Sequence, residues 1–451
     1  MPRYQTPTGM HDLLAEDLRW YEMIERAAAT LADAYGFGRI ETPALEAEEV
    51  FTRGVGLSTD IVEKEMYTLR TRGGDRLALR PEGTAPIVRA YLQHGMRNWP
   101  QPVRLWYFSR MFRHERPQAG RLRQFWQAGF EIIGEDDVVA DAESVLVTMA
   151  TLDALGLKDL SLQVNSIGCS QCRPLYRKAF VAYLRPRQGG MCGNCRKRLK
   201  ANPLRTLDCK DERCQRVLQG APEFIDHLCE PCRVNLRMFL EFLEELQIPY
   251  LLNSRLVRGL DYYSRTVFEI WSEQPASGAE EHGADEEGSK EPVRVLQQAL
   301  AAGGRYDTLF RALGGKPTGA VGSALGVERI IAAMRAADIH PPEPAAPQVF
   351  LVQLGEQAKR KAPALFEELR REKFRIRASF GRDSIKSQLR IADKLGATYV
   401  LILGQKEVSD DTVILRSMAS GAQETVKRGS LIPILRNRLQ KAEQRSQRIP
   451  R

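Results

Sequence analysis

The spacing of apolar and polar residues divides the chain into helices and strands. Apolar residues recur at helical spacing over 16–36 and again over 141–155, whereas runs typical of strands dominate the stretch 75–131. The first helix is predicted to bury a face comprising Leu18, Met23, Ile24, Ala27 and Leu31. Helices before and after a group of strands favour a largely antiparallel sheet with flanking helices, which is an α+β fold.

A proline-rich stretch at 338–347 separates this region from a second pattern. From 348 to 435, apolar strands alternate with amphipathic helices, which predicts a small α/β domain with mostly parallel strands. The segment 436–451 holds six basic residues against one Glu and is predicted to be a frayed tail. Residues 272–291 are acidic and poor in apolar residues, which predicts an exposed flexible loop.

Composition adds a net positive charge to this picture. The chain has 451 residues, with 66 Lys and Arg against 57 Asp and Glu, for a formal net charge of +9. This excess fits a polyanionic partner, although many soluble proteins carry one without any. No apolar run is long enough to span a bilayer, and the N-terminal residues lack the apolar core of a signal peptide. We therefore expect a cytoplasmic protein without a membrane partner.

The eight cysteines all lie between residues 169 and 232, in four closely spaced pairs. The pairs are Cys169 and Cys172, Cys192 and Cys195, Cys209 and Cys214, and Cys229 and Cys232. Such short loops place two thiolates on one tetrahedral metal, so the pairs predict two Cys₄ sites with structural zinc. Iron–sulfur ligation and simply reduced thiols are the alternatives.

The segment 112–125 is predicted to be the end of a strand that carries Arg113, a basic loop and a return strand, and it is the first candidate for phosphate chemistry. Arg113 can brace a phosphate bidentately, and Glu115, expected on the same face, can accept from an exocyclic amine such as that of adenine. The loop itself is cationic and could reach a nucleic-acid backbone. The alternative is a salt-bridged hairpin at a solvated surface.

Three further segments call for a polar ligand. Glu82 and Thr84 suit an ammonium group, unless Thr84 caps the helix that follows. Gln127 and Glu131 lie four apart on a predicted strand and therefore share a face. The segment LVRGLDYYSR, 256–265, combines a guanidinium, a carboxylate and two phenols, although such a cluster can also be a plain surface strand.

A glycine-spaced strand over 319–326 enters an apolar helix and is followed by Arg329. Glycines allow a backbone or a flat ring to approach closely, and an Arg at a helix start can face a triphosphate. The alternative is tight packing between strand and helix, because glycine spacing of this kind is weakly specific.

Together these segments resemble the class II aminoacyl-tRNA synthetases, and within them the histidyl-tRNA synthetase family. FRHERP with its arginine-rich loop is similar to the second motif of that class, and GSALGVER is similar to the third. VEKEMYTL, LRPEGT, RLVRGLDYYSRTVFE and AGGRYD are similar to segments characteristic of the histidine enzymes. The resemblance runs from near the N-terminus to about residue 435.

The resemblance implies a ligase that activates L-histidine with ATP and Mg²⁺ and transfers it to the 3′ end of tRNA(His). Arg113 would brace the ATP α-phosphate, and Arg258 would lie between the histidine carboxylate and that phosphate, so both would be catalytic. Glu115 would contact the adenine amine, and Arg329 would face the γ-phosphate. Residues implied to bind histidine are Glu82, Gly83, Thr84, Gln127, Glu131, Tyr262, Tyr263 and Tyr306. Residues implied to approach the tRNA acceptor end are Arg116, Gln118, Arg121 and Arg123.

The resemblance also implies a domain organisation and a homodimer. A catalytic core over 1–167 and 250–337 would be interrupted by a Cys-rich helical insertion over 168–249 that contacts the acceptor arm. The linker at 338–347 would lead to an anticodon-binding α/β domain over 348–435, and the basic tail would occupy 436–451. Neither DNA nor a membrane is an expected partner.

The chain departs from the family pattern at the acidic loop, at LQQALAA and at Ser323, which is more polar than usual for the third motif. A rival interpretation is a non-catalytic, histidine-sensing regulatory paralogue of ATP phosphoribosyltransferase. Such paralogues typically lack the C-terminal domain and several ATP-contacting residues. Because Arg113, Arg258, Arg329 and the region after residue 347 are all present, the ligase is the preferred interpretation.

Overall fold

A computed structural model of the chain describes residues 4–56, 59–116, 121–272, 299–381 and 384–446. Gln118 and nearly all of the predicted acidic loop lie outside the described residues. The described chain forms two compact units, Met1–Pro341 and Pro342–Arg451. The division falls inside the stretch predicted as a proline-rich linker.

The helices are α1 (Ala15–Ala34), α2 (Glu48–Gly54), α3 (Thr84–Gln93), α4 (Val139–Ala154), α5 (Cys172–Leu184), α6 (Gly193–Ala201), α7 (Glu212–Leu218), α8 (Glu230–Glu245), α9 (Leu309–Ala312), α10 (Val327–Ala336), α11 (Glu356–Arg371), α12 (Ile385–Lys394), α13 (Gln405–Ser409) and α14 (Leu431–Ser446). Short helical turns lie at Ile61–Glu65, Met96–Asn98, Arg185–Gly190, Pro203–Thr206, Ile225–His227 and Arg428–Ser430.

The strands are β1 (Gly38–Arg39), β2 (Leu45–Ala47), β3 (Thr68–Arg70), β4 (Arg76–Leu79), β5 (Val103–Phe112), β6 (Gln124–Ile133), β7 (Leu160–Ser166), β8 (Tyr250–Leu252), β9 (Ser264–Ser272), β10 (Ala299–Arg305), β11 (Ala320–Gly326), β12 (Val349–Gln353), β13 (Ile376–Ala378), β14 (Tyr399–Leu403), β15 (Thr412–Ser417) and β16 (Gln423–Lys427).

An eight-stranded sheet forms the centre of the first unit, in the order β1-β5-β6-β11-β10-β9-β7-β8. Its neighbouring strands are antiparallel except at the two edges, where β1 is parallel to β5 and β8 is parallel to β7. Helices α1, α4 and α10 pack against the inner strands. The predicted antiparallel sheet with flanking helices is therefore confirmed.

The buried face of α1 is rotated from the one predicted. Leu18 is 37% exposed, whereas Trp20 and Tyr21 are buried beside Ile24. The two aromatic side chains bury more apolar area than Leu18 would, so they determine which face meets the sheet. Strand β1, which follows α1, is short and ends at Arg39.

A smaller antiparallel sheet, β2-β4-β3, leads into the start of α3. The N-terminal end of α3 carries Glu82, Gly83 and Thr84 against the large sheet. Glu82 itself caps this helix by accepting from the backbone N–H groups of Thr84 and Ala85 at 2.7 and 2.9 Å. The cap predicted at Thr84 is therefore supplied two residues earlier.

The second unit is built on a five-stranded sheet, β13-β12-β14-β15-β16, with an apolar core that includes Leu351, Leu365 and Leu401. Strands β13, β12 and β14 are parallel, and β15 and β16 are antiparallel additions. The α/β prediction is confirmed, but the sheet is mixed rather than mostly parallel. The short, partly exposed β15 and β16 alternate polar and apolar residues and were not predicted from the sequence.

The predicted frayed tail at 436–451 is wrong for its first part. Helix α14 continues to Ser446, and Leu435 and Leu439 are buried in the core of the second unit. Leucines at this spacing anchor one face, so the basic residues between them lie on a folded helix. Within the described residues, no helix is both long enough and apolar enough to cross a bilayer.

Candidate active site

The centre of the site is Glu131, a buried carboxylate in the middle of the large sheet. Strand register places Glu131 beside Gly322 of β11, and its side chain is 1% exposed. Its two oxygens accept from Thr84 Oγ1 at 2.8 Å and from the Tyr306 hydroxyl at 2.6 Å. A Cβ on Gly322 would lie 1.7 Å from Glu131 Oε2, so the glycine is required for this carboxylate to occupy its position.

Burial raises the pKa of Glu131 to about 8. A carboxyl whose folded pKa lies above its unfolded value near 4.5 binds protons more tightly in the folded state. Its contribution to stability is therefore lost as pH rises through about 8. The free energy of unfolding should fall as the pH rises from 5.5 to 8.5. We expect Glu131→Gln to make this fall smaller by about 1–3 kcal/mol.

Urea unfolding of the first unit across that pH range measures this effect. A pH dependence identical to that of the unmodified chain would contradict the assignment of the raised pKa to Glu131.

Glu82 provides a second buried carboxylate across the pocket. Besides its two bonds to the start of α3, it accepts from the Tyr262 hydroxyl at 3.2 Å. Burial raises its pKa, although the N–H groups of Ala85 and Thr84 oppose this shift. Two buried carboxyls that lie close enough for Glu82 to raise the pKa of Glu131 suit a ligand with several N–H donors, such as an ammonium group and a protonated ring nitrogen.

Phenol rings line the space around the carboxylates. Tyr262 contacts Tyr263 with ring centroids 4.7 Å apart and approaches Tyr306 edge-on at 6.1 Å. Tyr107 was missed from the sequence, yet its hydroxyl is buried and has no hydrogen-bond partner among the described residues. Gly83 and Gly129 leave room for this ring, because a Cβ on either would lie 2.5 Å or less from it.

Gln127 and Arg258 both present unsatisfied polar atoms. Gln127 Oε1 and Arg258 Nε are buried, and neither has a partner among the described residues. Arg258 forms an ion pair with Glu269 and lies 5.9 Å from the Tyr263 ring centroid. Because buried polar groups are normally hydrogen-bonded, these atoms are suited to contact a polar ligand.

A group of arginines forms the other part of the site. Strand β5 ends at Phe112, so Arg113 and Glu115 lie in irregular chain rather than on a strand, which corrects the prediction. Arg113 Nε donates to the Pro81 carbonyl at 2.8 Å, and Arg113 Nη1 lies 3.6 Å from a Glu115 oxygen. Arg329 donates to the Ala299 carbonyl at 2.9 Å.

These arginines repel one another, which indicates an anionic ligand. Burial lowers the pKa of Arg329, and the nearby Arg121 and Arg113 lower it further. Glu115 opposes this effect on Arg329, and Glu65 is a second carboxyl close to Arg113 and Arg121. A triphosphate would compensate such an excess and would accept the hydrogen bonds that the guanidinium groups can donate.

The tRNA-facing residues predicted in the loop differ in exposure. Arg116 and Arg121 are exposed. Arg123 is half-buried, and its Nε donates to the Glu115 carbonyl at 3.1 Å while its backbone N–H donates to the Gly9 carbonyl at 2.8 Å. Arg123 therefore fastens the loop to the N-terminal segment. Arg121 lies 3.5 Å from a Glu115 oxygen but remains exposed, as does Arg116.

The cysteines form two separate clusters of four. The outer tetrad joins the first pair to the last, and the inner tetrad joins the two middle pairs; in each, the ligand atoms lie within 4.8 Å of one another. The outer tetrad is Cys169, Cys172, Cys229 and Cys232, and the inner tetrad is Cys192, Cys195, Cys209 and Cys214. The backbone N–H of Cys195 lowers the pKa of Cys192 to about 7, which favours the thiolate that binds metal.

A buried ion pair between Arg305 and Asp141, which was not predicted from the sequence, lies next to Tyr306 of the site. Arg305 Nη1 lies 2.7 Å from Asp141 Oδ2, and both side chains are fully buried. Arg305 also donates to the carbonyls of Glu135, Asp136 and Asp137. The pair links α4 to the residue before Tyr306. Only a buried partner on another element could have revealed it, and sequence spacing contains no such signal.

Replacing Arg305 with alanine should destabilise the first unit by about 3–5 kcal/mol, because Asp141 would remain as an uncompensated buried charge. Chemical unfolding followed by circular dichroism measures this loss. Arg305→Ala with Asp141→Asn should recover much of it. Similar unfolding of the single and double variants would contradict an uncompensated Asp141 charge as the cause.

Comparison with known proteins decides the family. The family model for histidyl-tRNA synthetase matches residues 9–172, and the model for the anticodon-binding domain matches 348–438. A Dehalococcoides mccartyi protein named histidine–tRNA ligase is 46% identical over 95% of this chain and 98% of its own length. The chain belongs to the histidyl-tRNA synthetase family. A Pelotomaculum thermopropionicum protein of the same name is 43% identical over 96% of this chain and 97% of its own.

Solved structures agree with family membership. The apo histidyl-tRNA synthetase of S. aureus superimposes with a TM-score of 0.76 at 31% identity and covers 96% of this chain and 99% of that one. A Bacillus halodurans protein described as an ATP phosphoribosyltransferase regulatory subunit/histidyl-tRNA synthetase has a TM-score of 0.59 at 20% identity over 90% of this chain and 99% of its own, a likeness of fold alone. The resemblance to class II synthetases of the histidyl-tRNA synthetase family is confirmed.

Within this family fold, the structure brings most of the predicted site residues together. Glu131, Thr84 and Tyr306 are joined by hydrogen bonds, as are Glu82 and Tyr262. In the predicted phosphate region, Arg113 and Arg121 lie close enough to Arg329 for their positive charges to lower its pKa. Tyr107 and the Arg305–Asp141 pair are additions that the sequence motifs did not indicate.

Proposed function

We propose that the chain is a class II histidine–tRNA ligase that forms histidyl-adenylate from L-histidine and ATP and then charges tRNA(His). The observation that carries this proposal is the pair of buried carboxyls, Glu131 and Glu82, with Arg113 of the arginine group close enough to Glu82 to act on its pKa. The carboxyls suit a ligand that is rich in N–H donors, and the arginines suit a strongly anionic one. Relatives named histidine–tRNA ligase that match nearly the whole chain support the same activity.

In the proposed complex, histidine enters the carboxylate part of the pocket. Glu131 and Tyr263 hydrogen-bond the two imidazole nitrogens, and Glu82, Thr84 and Gln127 hold the α-ammonium group. The unsatisfied Oε1 of Gln127 supports this arrangement. Selectivity for histidine follows because a side chain without ring N–H groups could not donate to the acceptor positions that Glu131 keeps beside its bonds from Thr84 and Tyr306. Gly83 and Tyr262 shape the remainder of the pocket.

ATP occupies the arginine part as its Mg²⁺ complex. Arg113 braces the α-phosphate, Glu115 accepts from the adenine amine, and Arg329 faces the γ-phosphate. The lowered pKa of Arg329 supports this placement, since its positive neighbours are arranged for a polyanion. The stacking surface of Phe125, whose centroid lies 5.3 Å from the Arg113 guanidinium, keeps that guanidinium in place.

Activation begins when a histidine carboxylate oxygen attacks the α-phosphorus. A bond forms between this oxygen and phosphorus while the bond to the leaving pyrophosphate breaks. No general base is required because the carboxylate is already ionised, so catalysis consists of positioning and electrostatic stabilisation. Arg258 supplies positive charge between the two reacting groups. The tRNA 3′-terminal hydroxyl then attacks the histidyl carbonyl and AMP leaves.

The tRNA acceptor end has a basic route to this pocket. A groove of about 1300 Å³ lies between the Cys-rich insertion and the segment that carries Arg258. Basic side chains along it are Arg177, Lys178, Arg185 and Lys200. Such a lining attracts phosphates without reading sequence. The exposed Arg116 and Arg121 extend the basic surface, and the match of 348–438 to an anticodon-binding domain supports a second tRNA contact.

Structural zinc is the metal that best fits the two cysteine tetrads. Four thiol ligands with short spacing in each site match tetrahedral Zn²⁺ coordination, which stabilises small domains without taking part in chemistry. Iron–sulfur ligation is the alternative, and its visible absorption distinguishes it from zinc. We further propose that the chain acts as a homodimer in the cytoplasm; light scattering of the purified protein tests the dimer.

Amino-acid-dependent ATP–pyrophosphate exchange tests the activity, with each amino acid tried separately. Exchange with histidine alone, followed by charging of tRNA(His), is the expected result. The regulatory paralogue would bind histidine, and calorimetry would detect that binding, but it would support no exchange. Folded, metal-loaded protein that binds histidine without exchange would therefore overturn the ligase proposal.

A further inference from the structure

The outer tetrad lies where the Cys-rich insertion leaves the large sheet. Strand β7 ends at Ser166, and Cys169 and Cys172 follow at the start of α5. Cys229 is the residue before α8, and its backbone N–H donates to Cys172 Sγ at 3.1 Å. The four thiols therefore fasten the N-terminal ends of two helices to each other at the base of the insertion.

Arg173, the residue next to Cys172, reaches out of the insertion to the proposed histidine site. Its Nε donates to the Ile167 carbonyl at 3.3 Å, its Nη1 to the Asp261 carbonyl at 3.4 Å, and its Nη2 to the Tyr263 carbonyl. One guanidinium thus spans three backbone carbonyls. The two carbonyls of the 261–263 stretch lie on either side of Tyr262.

The 258–263 segment depends on such bonds because it lies outside helices and strands. Strand β9 begins only at Ser264. Besides the bonds from Arg173, the described bonds to the backbone of the segment include one from the Asp261 N–H to the Val55 carbonyl, at 3.0 Å, and one from Thr308 Oγ1 to the Tyr262 carbonyl, at 3.4 Å. The segment nevertheless carries Arg258 and Tyr262. Its backbone position decides where these side chains meet the ligands.

The chain directly before Cys169 is hydrogen-bonded to the start of β9. Ile167 N–H donates to the Arg265 carbonyl at 2.8 Å, and Arg265 N–H donates to the Gly168 carbonyl at 2.9 Å. Gly168 has φ of +60°, and a Cβ there would lie 2.8 Å from Cys172 Cβ. A shift of Cys172 would therefore be transmitted to Arg173 and to the start of β9 together.

We propose that Arg173 is a positioning residue for histidine binding and that a metal ion in the outer tetrad holds it in place. This inference rests on the proposed ligase function, since it assigns the pocket to histidine. The metal closes the tetrad around the start of α5, and α5 holds the guanidinium against the Asp261 and Tyr263 carbonyls. Loss of either the metal or the guanidinium releases the 258–263 segment.

The first experiment compares Arg173→Ala and Arg173→Lys with a matched control, Arg233→Ala. Arg233 also follows a tetrad cysteine directly, but its contacts, to the Leu228 carbonyl and Glu230, stay within the insertion. We expect Arg173→Ala to raise the histidine KM in pyrophosphate exchange about tenfold. Arg173→Lys should give a smaller rise in the histidine KM, because a lysine keeps the positive charge but lacks the planar guanidinium that donates to three carbonyls.

The KM for ATP separates positioning from general damage. Arg113, Glu115 and Arg329 have no contact with Arg173 among the described bonds, so the ATP KM should change by less than about threefold. Arg233→Ala should leave both constants unchanged. Equal increases in both KM values for Arg173→Ala, or an equal effect of Arg233→Ala, would overturn the assignment.

The second experiment tests whether the metal acts through Arg173. Cys229→Ser should lower the metal content measured by plasma mass spectrometry by about one ion per chain and raise the histidine KM as Arg173→Ala does. The histidine KM of the double variant should lie within about twofold of that of either single variant, because both changes break the same link. Independent, multiplying effects would overturn the coupling.

Hydrogen–deuterium exchange of peptides covering 256–264 gives a readout that needs no activity. Exchange there should accelerate in Arg173→Ala and in Cys229→Ser, and stay unchanged in Arg233→Ala. This outcome with no histidine-dependent activity in the unmodified chain would reject the ligase function but keep the structural link. Unchanged protection in an active enzyme would reject the link alone.

Discussion

Replacing Arg258 with alanine should slow histidine-dependent pyrophosphate exchange about 100- to 1000-fold, or about 3–4 kcal/mol of transition-state stabilisation. Negative charge concentrates on the α-phosphate as the carboxylate attacks, and Arg258 has a buried Nε without a partner among the described residues. Histidine affinity without ATP, measured by calorimetry, should fall by no more than about tenfold, because that charge develops only in the reaction.

Two further variants make this prediction specific. Arg258→Lys keeps a charge without the guanidinium fork and should recover only part of the rate. Arg255→Ala, three residues earlier, removes a bond to Gln215 at 3.0 Å and should have little effect. Since Arg258→Ala leaves Glu269 without its ion pair, thermal unfolding must accompany the kinetics. Equal losses of histidine affinity and rate would refute a transition-state role.

Replacing Gly322 with alanine should abolish detectable histidine binding. The new Cβ would lie 1.7 Å from Glu131 Oε2, so the carboxylate must leave its position and its 2.6 Å bond from Tyr306. The displaced Glu131 carboxyl would have to fit into the packed centre of the sheet. Overpacking of this kind lowers the free energy of unfolding by about 1–3 kcal/mol. Calorimetry with histidine and thermal unfolding measure the two effects.

Gly326→Ala is the matched control, because it adds the same methyl group at the end of the same strand. A Cβ on Gly326 meets Arg329 at 3.5 Å, an ordinary van der Waals contact. This control should keep its stability and histidine binding. If Gly322→Ala bound histidine as well as the control does, Glu131 could not be the group that selects the imidazole.

The sequence predicted the main elements because their patterns are local. The amphipathic helices of the second unit were predicted because, as in α11 (Glu356–Arg371), apolar residues recur at helical spacing between polar ones. The family and the antiparallel core were also predicted correctly, because several specific strings agreed on one family. Their agreement was more specific than any single motif.

The missed features depend on contacts between distant parts of the chain. Tyr107 is an ordinary strand residue until its pairing with Gly129 across β5 and β6 makes room for the ring. The pairing of cysteines into tetrads likewise depends on how α5 and α8 meet. The tail prediction failed because six basic residues concealed Leu435 and Leu439, whose burial requires the rest of the second unit.

The nested arrangement of the cysteines has a consequence for the order in which the insertion assembles. The inner tetrad closes the chain between residues 192 and 214, whereas the outer one closes it between 169 and 232. Shorter loops cost less chain entropy to close, and a closed inner loop shortens the free chain that the outer site must bring together. We therefore expect the proposed metal uptake during synthesis to be sequential, with the inner site complete first and the outer site, at the base of the insertion, completed only after residue 232 has been synthesised.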